Sequence, residues 1–193
     1  LNHEFLMSSL FTESERTLAR TALRLHSGSQ LRVLIGGLGL GYTAREALLS
    51  ERVARVEVIE FLPQVMDWLK QGLVPLSAEL CDEPRLMVTQ GDVYRRLSGP
   101  PKDRADVILI DIDHSPDEPL GEESTGFYTR RGLATAKEHL ADDGVLAVWS
   151  YAESSSFADA LSEVFEHVHV EPVTYDNYLI DQQRTDWLFF AHG

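Results

Sequence analysis

The chain has 193 residues with an ordinary apolar share of 44%, so it is long enough to form a single domain with a full hydrophobic core. Its 31 acidic residues outnumber its 17 basic ones, and the net charge of −14 argues against nucleic acid as the main partner, since phosphate binding needs clustered Lys and Arg. No apolar run reaches the roughly 18 residues that span a bilayer, and a lone cysteine, Cys81, suits a reducing compartment, so we expect a cytoplasmic protein without a membrane partner.

The first predicted element is a helix near the N-terminus. Thr12-Glu-Ser-Glu15 has the sequence of a capping box, in which two side chains accept hydrogen bonds from each other's backbone amides. We expect the helix to extend to about His26 and to end before Gly28. Residues 1–30 are therefore predicted to form an N-terminal helical segment, and residues 31–193 an α/β domain.

A glycine-rich turn follows the first predicted strand, which covers residues 31–35. The turn contains four glycines within six residues: Gly36, Gly37, Gly39 and Gly41. Because glycine has no Cβ, the backbone of such a turn can bend sharply and come close to a ligand. A helix is expected to begin just after it, around Thr43.

An acidic residue ends the second predicted strand. This strand covers residues 55–60, and Glu60 lies about 20 residues beyond the glycine-rich turn, the separation at which an acid accepts hydrogen bonds from ribose hydroxyls. The turn and the acid together predict a nucleoside-containing cofactor. Two classes of cofactor are compatible with this pattern. Gly39-Leu-Gly41-Tyr-Thr-Ala44 has the spacing of a dinucleotide site, and it equally suits S-adenosylmethionine or its decarboxylated form, which have no pyrophosphate.

The remaining predicted elements alternate between helices and strands. In chain order they are a helix from Pro63 to about Gln71, an irregular segment at 74–84, strand 3 at 85–89, a short helix carrying Tyr94 and Leu97, strand 4 at 106–110, a helix at 129–140, a tight turn at 142–144, strand 5 at 145–149, a helix at 154–165, and strands at 168–174 and 187–191. Five alternations with short connections predict a doubly wound parallel sheet.

The last two predicted strands indicate the class of sheet. They are joined by a polar loop at 176–186, which has no room for the helix-bearing crossover that parallel strands need, so they should form an antiparallel hairpin. A seven-stranded, mostly parallel sheet with an antiparallel last strand is typical of class I methyltransferase-like Rossmann domains and not of dinucleotide dehydrogenases. The predicted α/β fold therefore favours a sulfonium nucleoside over a dinucleotide.

Acidic residues follow three consecutive strands, at the edge where open α/β sheets bind their ligands. They are Glu60, Asp92 and Asp111. An acid after the third strand can accept a hydrogen bond from the exocyclic amine of adenine, although Asp92 could also cap the helix that follows it. Two further polar residues, Asp113 and His114, come just after Asp111, and Tyr151 follows strand 5.

A stretch with six carboxylates and no Lys or Arg covers residues 111–123. Such a stretch can attract a cationic substrate. Asp111-Ile-Asp113-His114 within it could also be read as a metal cluster. No second His or Cys stands at ligand spacing, so we predict no metal site.

From Leu31 to about Ser150 the chain resembles the polyamine aminopropyltransferase (spermidine synthase) family. The matching segments are Val33-Leu-Ile-Gly-Gly37, Arg45-Glu46, Val56-Glu-Val-Ile-Glu60, Gly91-Asp92, Asp106-Val-Ile-Leu-Ile-Asp111 and Asp143-Gly-Val-Leu146. The resemblance implies a pocket for decarboxylated S-adenosylmethionine, with methylthioadenosine as the product, in which Glu60 binds the ribose and Asp92 the adenine. It places Asp111 at the position of the family's catalytic acid, which assists deprotonation of the attacking amine.

The chain departs from the family pattern at the residues that would bind the amine. The family's glycine turn usually carries an Asp for the aminopropyl ammonium group, whereas Gly37-Leu-Gly-Leu-Gly41 has no acid. The family's second acid falls at His114, with Asp113 one position early. Only about 30 residues precede the first strand, so we do not expect the family's N-terminal β-hairpin domain, through which members partly associate. Whether the protein forms a homodimer is therefore left open by the sequence.

The leading hypothesis is a spermidine-synthase-like transferase that uses a sulfonium nucleoside to alkylate a small-molecule amine. Asp111 is the predicted catalytic residue, and Asp113, His114 and Tyr151 are the predicted amine-binding residues. The alternatives are an S-adenosylmethionine-dependent methyltransferase, a non-catalytic nucleoside-binding homologue and, last, an NAD dehydrogenase. Glu60 is predicted to accept hydrogen bonds from both ribose hydroxyls, so Glu60→Gln should weaken nucleoside binding at an unchanged melting temperature.

Overall fold

A seven-stranded sheet forms the centre of the protein. The computed structural model describes residues 9–112, 115–119, 122–178 and 181–193. The strands are β1 (Leu31–Gly36), β2 (Val53–Glu60), β3 (Leu86–Gln90), β4 (Ala105–Ile110), β5 (Leu140–Ser150), β6 (His167–Asn177) and β7 (Gln182–His192). Their order across the sheet is β3-β2-β1-β4-β5-β7-β6.

The strand directions confirm the predicted fold class. The neighbours from β3 to β5 run parallel to one another. β7 is antiparallel to both of its neighbours, β5 and β6, and so inserts between them. The sheet is therefore mostly parallel, with the antiparallel last strand that the short polar link predicts.

Helices cover both faces of the sheet. They are α1 (Glu13–Leu25), α2 (Tyr42–Leu48), α3 (Pro63–Lys70), α4 (Ser77–Cys81), α5 (Val93–Ser98), α6 (Glu122–Phe127), α7 (Arg130–Lys137) and α8 (Ser155–Ser162). Helices α1 to α4 contribute to one hydrophobic core, and α5 to α8 contribute to the other. Among the described residues, no helix is long and apolar enough to cross a membrane.

The continuous apolar run of β4 is explained by these two cores. Val107 and Leu109 point into the core under α1, while Ile108 and Ile110 point into the opposite one. All four side chains are almost completely buried. Because successive side chains of a strand alternate between faces, a strand covered on both sides needs apolar residues at every position.

Several local predictions are corrected by the structure. Thr12 does stand at the N-cap of α1, but its side chain makes no capping bond to the backbone and instead accepts from Arg16 Nε at 3.1 Å. Helix α4 lies in the segment predicted to be irregular, because Leu80 is buried against the glycine-rich turn. The sequence analysis also missed helix α6. The predicted turn at 142–144 is an irregularity within β5, where Asp143 has a φ of 62°.

Candidate functional site

The glycine-rich turn leaves β1 between the ends of its two neighbouring strands. The amide of Gly37 donates to the carbonyl oxygen of Ile59 at 2.9 Å, which continues the pairing of β1 with β2. The amide of Asp111 donates to the carbonyl oxygen of Gly36, also at 2.9 Å, and continues the pairing of β1 with β4. The turn is therefore fixed at the carboxyl edge of the sheet, where open α/β sheets bind ligands.

Gly37 lets the turn pass very close to the end of β4. Its φ is 92°, a conformation that residues with a side chain rarely adopt. A Cβ built on Gly37 would lie 2.2 Å from the carbonyl oxygen of Asp111. Glycine is therefore required here by both the backbone conformation and the close approach.

The other three glycines have different surroundings. A Cβ on Gly36 would lie 2.6 Å from Val93 Cγ1, and one on Gly41 would lie 2.3 Å from Leu80 Cδ1. Gly36 and Gly41 thus allow helices α5 and α4 to pack against the turn. A Cβ on Gly39 would meet no heavy atom within 4 Å, so Gly39 is where the turn faces open space.

The carboxylate of Glu60 holds the turn in place. One of its oxygens accepts from the amide of Leu38 and the other accepts from the amide of Leu62, both at 2.7 Å. The Glu60 residue is only 6% exposed. Because a carboxylate oxygen offers about two lone-pair sites, each oxygen can still accept one more hydrogen bond. Glu60 thus supports the turn and keeps acceptor capacity at the end of β2.

Asp92 caps helix α5 next to this turn. Its Oδ1 accepts from the amide of Tyr94 at 2.9 Å and from the amide of Arg95 at 3.2 Å, as an N-cap residue does. The amide of the preceding residue, Gly91, donates to the carbonyl oxygen of Glu60 at 2.9 Å. Within the described ranges Asp92 Oδ2 has no hydrogen-bond donor, so the capping role leaves one oxygen available.

Asp111 is anchored by the start of helix α2. Its carboxyl group accepts a hydrogen bond from the hydroxyl of Thr43. Burial raises the pKa of Asp111 to about 6; the Thr43 hydrogen bond opposes this rise, and the negative charge of Asp186 adds to it. A carboxyl group with such a pKa can accept and release a proton near neutral pH. Asp111 is therefore a candidate general base.

A further acid near Asp111, Asp186 on β7, is buried and is not predicted from the sequence. It is 6% exposed and accepts from Ser14 Oγ on α1 at 2.6 Å. Burial raises the pKa of Asp186, while Ser14, Trp149 and Tyr175 lower it. Its burial depends on the pairing of β7 inside the sheet, so nothing in the sequence separates it from the other polar residues of the hairpin.

Tyr151 lies just beyond the carboxyl end of β5 and is 45% exposed. Its hydroxyl donates to the carboxylate of Glu118. A second hydrogen bond, from Ser156 Oγ at the start of α8 to Asp117 Oδ1, measures 2.9 Å. These two bonds tie the described part of the acidic stretch to the edge of the sheet that carries the glycine-rich turn.

The other two predicted amine-binding residues, Asp113 and His114, lie outside the described residues. Their role stays a prediction from the sequence. In the part of the chain that the structure describes, no three His, Cys, Asp or Glu side chains form a group that could hold a metal ion.

Sequence comparisons connect the chain to one family. The model of the spermine/spermidine synthase domain family matches residues 12–179. Polyamine aminopropyltransferase 2 of Streptomyces coelicolor is 36% identical over 123 residues, which cover 63% of this chain and 22% of that protein. The polyamine aminopropyltransferase of Pyrobaculum calidifontis is 26% identical over 147 residues, which cover 74% of this chain and 50% of that protein. The chain thus spans half or less of the length of these curated relatives.

Solved structures share the fold. A spermidine synthase in complex with the transition state analogue AdoDATO matches with a TM-score of 0.68 at 22% identity, over 92% of this chain and 58% of that chain. Human methyltransferase-like protein 13 in complex with SAH matches with a TM-score of 0.62 at 17% identity, over 94% of this chain and 79% of that chain. At such identities the likeness concerns the fold alone.

Proposed function

We propose, from the premise that this chain belongs to the spermine/spermidine synthase family, that it transfers an aminopropyl group from decarboxylated S-adenosylmethionine to a small-molecule amine. The family membership confirms the resemblance predicted from the sequence. The observation that carries the proposal is the position of three acids around one glycine-rich turn: Glu60, Asp92 and Asp111 follow successive strands at the same edge of the sheet.

The surroundings of the turn suit the nucleoside part of such a substrate. Glu60 retains one lone-pair site on each oxygen, which matches the two hydroxyl donors of a ribose. Asp92 retains Oδ2, an acceptor for the exocyclic amine of adenine. Gly39 leaves space in front of the turn, so the nucleoside can approach the backbone closely.

Asp111 supplies the acid–base chemistry in this proposal. The bound sulfonium nucleoside supplies an electrophilic carbon, and transfer forms a carbon–nitrogen bond as the carbon–sulfur bond breaks. The attacking amine must be neutral, so a proton has to leave its nitrogen. The carboxylate of Asp111 accepts that proton, and the hydrogen bond from Thr43 orients the carboxylate for it.

Methyl transfer from S-adenosylmethionine is the second candidate, and the apolar character of the turn favours it. Leu38 is 5% exposed and Leu40 packs against the same hydrophobic core, so the turn offers no carboxylate to an aminopropyl ammonium group. A non-catalytic nucleoside-binding protein is the third candidate, since such a protein can also lack family acids. An NAD dehydrogenase is disfavoured because its sheet does not need the antiparallel insertion of β7.

Binding and turnover distinguish these candidates. Titration calorimetry with decarboxylated S-adenosylmethionine, S-adenosylmethionine, methylthioadenosine and NAD identifies the preferred nucleoside. Release of methylthioadenosine is then measured with putrescine or spermidine as acceptor, with Asp111→Asn as the control for the general base. We expect tightest binding of the decarboxylated form and turnover that depends on the amine. Preference for S-adenosylmethionine would favour methyl transfer, binding without any turnover would favour the binding protein, and no nucleoside binding would refute the proposal.

A further inference from the structure

The first turn of α1 contacts Asp186 and also Thr43, the residue that binds Asp111. Ser14 Oγ donates to Asp186 Oδ2 at 2.6 Å. The next residue, Glu15, has its carbonyl oxygen 3.5 Å from the hydroxyl of Thr43, and that hydroxyl in turn donates to Asp111. Ser14 and Thr43 are each 3% exposed, so these two hydroxyl groups are shielded from solvent.

We infer that Asp186 is a positioning residue for Asp111. Neighbouring residues of α1 contact both sides of the pair: Ser14 binds Asp186, and the Glu15 carbonyl oxygen lies beside the Thr43 hydroxyl that binds Asp111. Asp186 also places a second negative charge in the surroundings of the general base. This inference rests on the function proposed above, in which Asp111 accepts the proton of the amine. Asp186 itself is buried among Ser14, Trp149 and Tyr175. It therefore acts through Asp111 and not by contact with the substrate.

The elements that contact the two acids also carry charged and titratable groups. They are Glu15 and Arg16 on α1, Tyr42 on α2, Tyr175 on β6, and Arg184 on β7. Arg16 lies over the ring of Tyr42, with its guanidinium carbon 5.1 Å from the ring centre. Arg184 acts on Tyr175, whose pKa is raised by burial and by Asp186 and Glu15. Among the described residues, the negative charge of Asp186 raises the pKa of Asp111.

The network offers Asp111 a partner in both of its protonation states. When Asp111 is ionised, the single proton of the Thr43 hydroxyl is donated to the carboxylate. When Asp111 has accepted a proton from the amine, it can donate that proton to Thr43 Oγ1. The Thr43 hydroxyl then turns toward the carbonyl oxygen of Glu15. The position of the carboxyl group is thereby kept while its charge changes.

Two substitutions with opposite expected effects test the inference directly. The titration of Asp111 is followed by carbon NMR of aspartate labelled at the side-chain carboxyl carbon, with the signal assigned by its loss in Asp111→Asn. Asp186→Asn removes the neighbouring charge, so the midpoint should move to lower pH by roughly one pH unit. Thr43→Val removes the hydrogen bond to the ionised form, so the midpoint should move to higher pH.

A matched control uses the same hairpin. Asp176 lies on β6, is exposed, and accepts from Gln183 Nε2 at 3.3 Å. Asp176→Asn makes the same charge change where solvent screens it, so the Asp111 midpoint should not move. Asp186→Ser serves as a second neutral variant, and thermal unfolding checks that each protein is folded. A folded Asp186 variant with an unshifted Asp111 midpoint would overturn the inference.

The pH profile of turnover separates this inference from the proposed function. The acid limb of the profile should move to lower pH in Asp186→Asn, in parallel with the NMR midpoint. A shifted NMR midpoint in a protein that turns over no amine would reject the proposed function and keep the coupling of the two acids. A shifted midpoint with an unshifted acid limb would show that Asp186 does not act on the reaction, and would overturn its positioning role.

Discussion

Replacing Glu60 with Gln tests both the nucleoside site and the architecture of the glycine-rich turn. Sequence reasoning alone expects weaker nucleoside binding at an unchanged melting temperature. The structure changes that expectation, because both oxygens of Glu60 already accept backbone amides, those of Leu38 and Leu62. A Gln side chain has one acceptor oxygen and one NH₂ group, so one of these two amides would face a donor.

The size of the effect follows from these contacts. A buried amide left without an acceptor costs about 1–3 kcal/mol, and the remaining hydrogen bond loses its charge assistance. We therefore expect Glu60→Gln to lower the free energy of unfolding by about 2–3 kcal/mol. For a chain of this size that corresponds to a fall in melting temperature of roughly 4–12 °C. Loss of charge-assisted bonds to the ribose should also weaken nucleoside affinity by roughly ten- to a hundredfold.

Scanning calorimetry measures the first effect, and titration calorimetry with methylthioadenosine measures the second below the melting transition. Glu57→Gln is the matched control, because Glu57 lies on the same strand but not at its carboxyl end. This control should change neither quantity. An unchanged melting temperature in Glu60→Gln would refute the supporting role of the carboxylate, and an unchanged dissociation constant would remove Glu60 from the nucleoside site.

Three further substitutions address single residues of the site. Gly37→Ala should lower the free energy of unfolding by about 1–3 kcal/mol, because the φ of 92° and the nearby carbonyl oxygen of Asp111 exclude a side chain at this position. Thermal unfolding measures this change, and a stability equal to that of the parent would contradict the geometry. Asp92→Asn preserves a good N-cap and should weaken nucleoside binding at an unchanged melting temperature. Asp92→Ala should weaken nucleoside binding and also lower the free energy of unfolding by about 1 kcal/mol. If both variants bind the nucleoside as tightly as the parent, Asp92 has the capping role alone. Asp111→Asn should lower turnover by about 10²–10⁴-fold. The fold raises the pKa of Asp111 from 3.8 to about 6, so protonated Asp111 stabilises the fold below pH 3.8 and this contribution is lost as the pH rises through 6. Asp111→Asn should therefore be about 1–2 kcal/mol more stable than the parent at pH 7.5 but not at pH 3. Equal stability of the variant and the parent at both pH values would reject the raised pKa.

The sheet is predictable because its pattern is repeated along the chain. The strands at 31–35 and 106–110 are mostly apolar and buried on both faces, and their short length between turn signals favours strands over helices. The antiparallel pairing of β7 with β6 follows from connection length alone, since a short polar link cannot carry a crossover. The positions of Glu60, Asp92 and Asp111 are predictable because the strands that they follow are themselves predictable.

Other features depend on contacts between distant residues. Helix α4 is stabilised by burial of Leu80 against Gly41, so local propensity gives little indication of it. Thr12 and Glu15 have the sequence of a capping box, but the Thr12 hydroxyl accepts a hydrogen bond from Arg16 Nε and makes no capping bond to the backbone. The second role of Glu60, as a support for the turn, is likewise visible only once Leu38 is placed beside it.

The two halves of the candidate site therefore differ in physical origin. The half around Glu60 and Asp92 is formed by strand ends and by the turns directly attached to them, so its geometry follows from the sheet. The half around Asp111 is formed where α1, α2, β4 and β7 meet. The hydrogen bonds to its two carboxylates join distant residues, with 68 positions separating Thr43 from Asp111 and 172 separating Ser14 from Asp186. The proton affinity of the proposed general base is thus a property of tertiary packing. A change in how α1 packs on the sheet would alter it without touching the nucleoside half, and this is the physical reason why the nucleoside half is readable from sequence motifs while the acid pair is not.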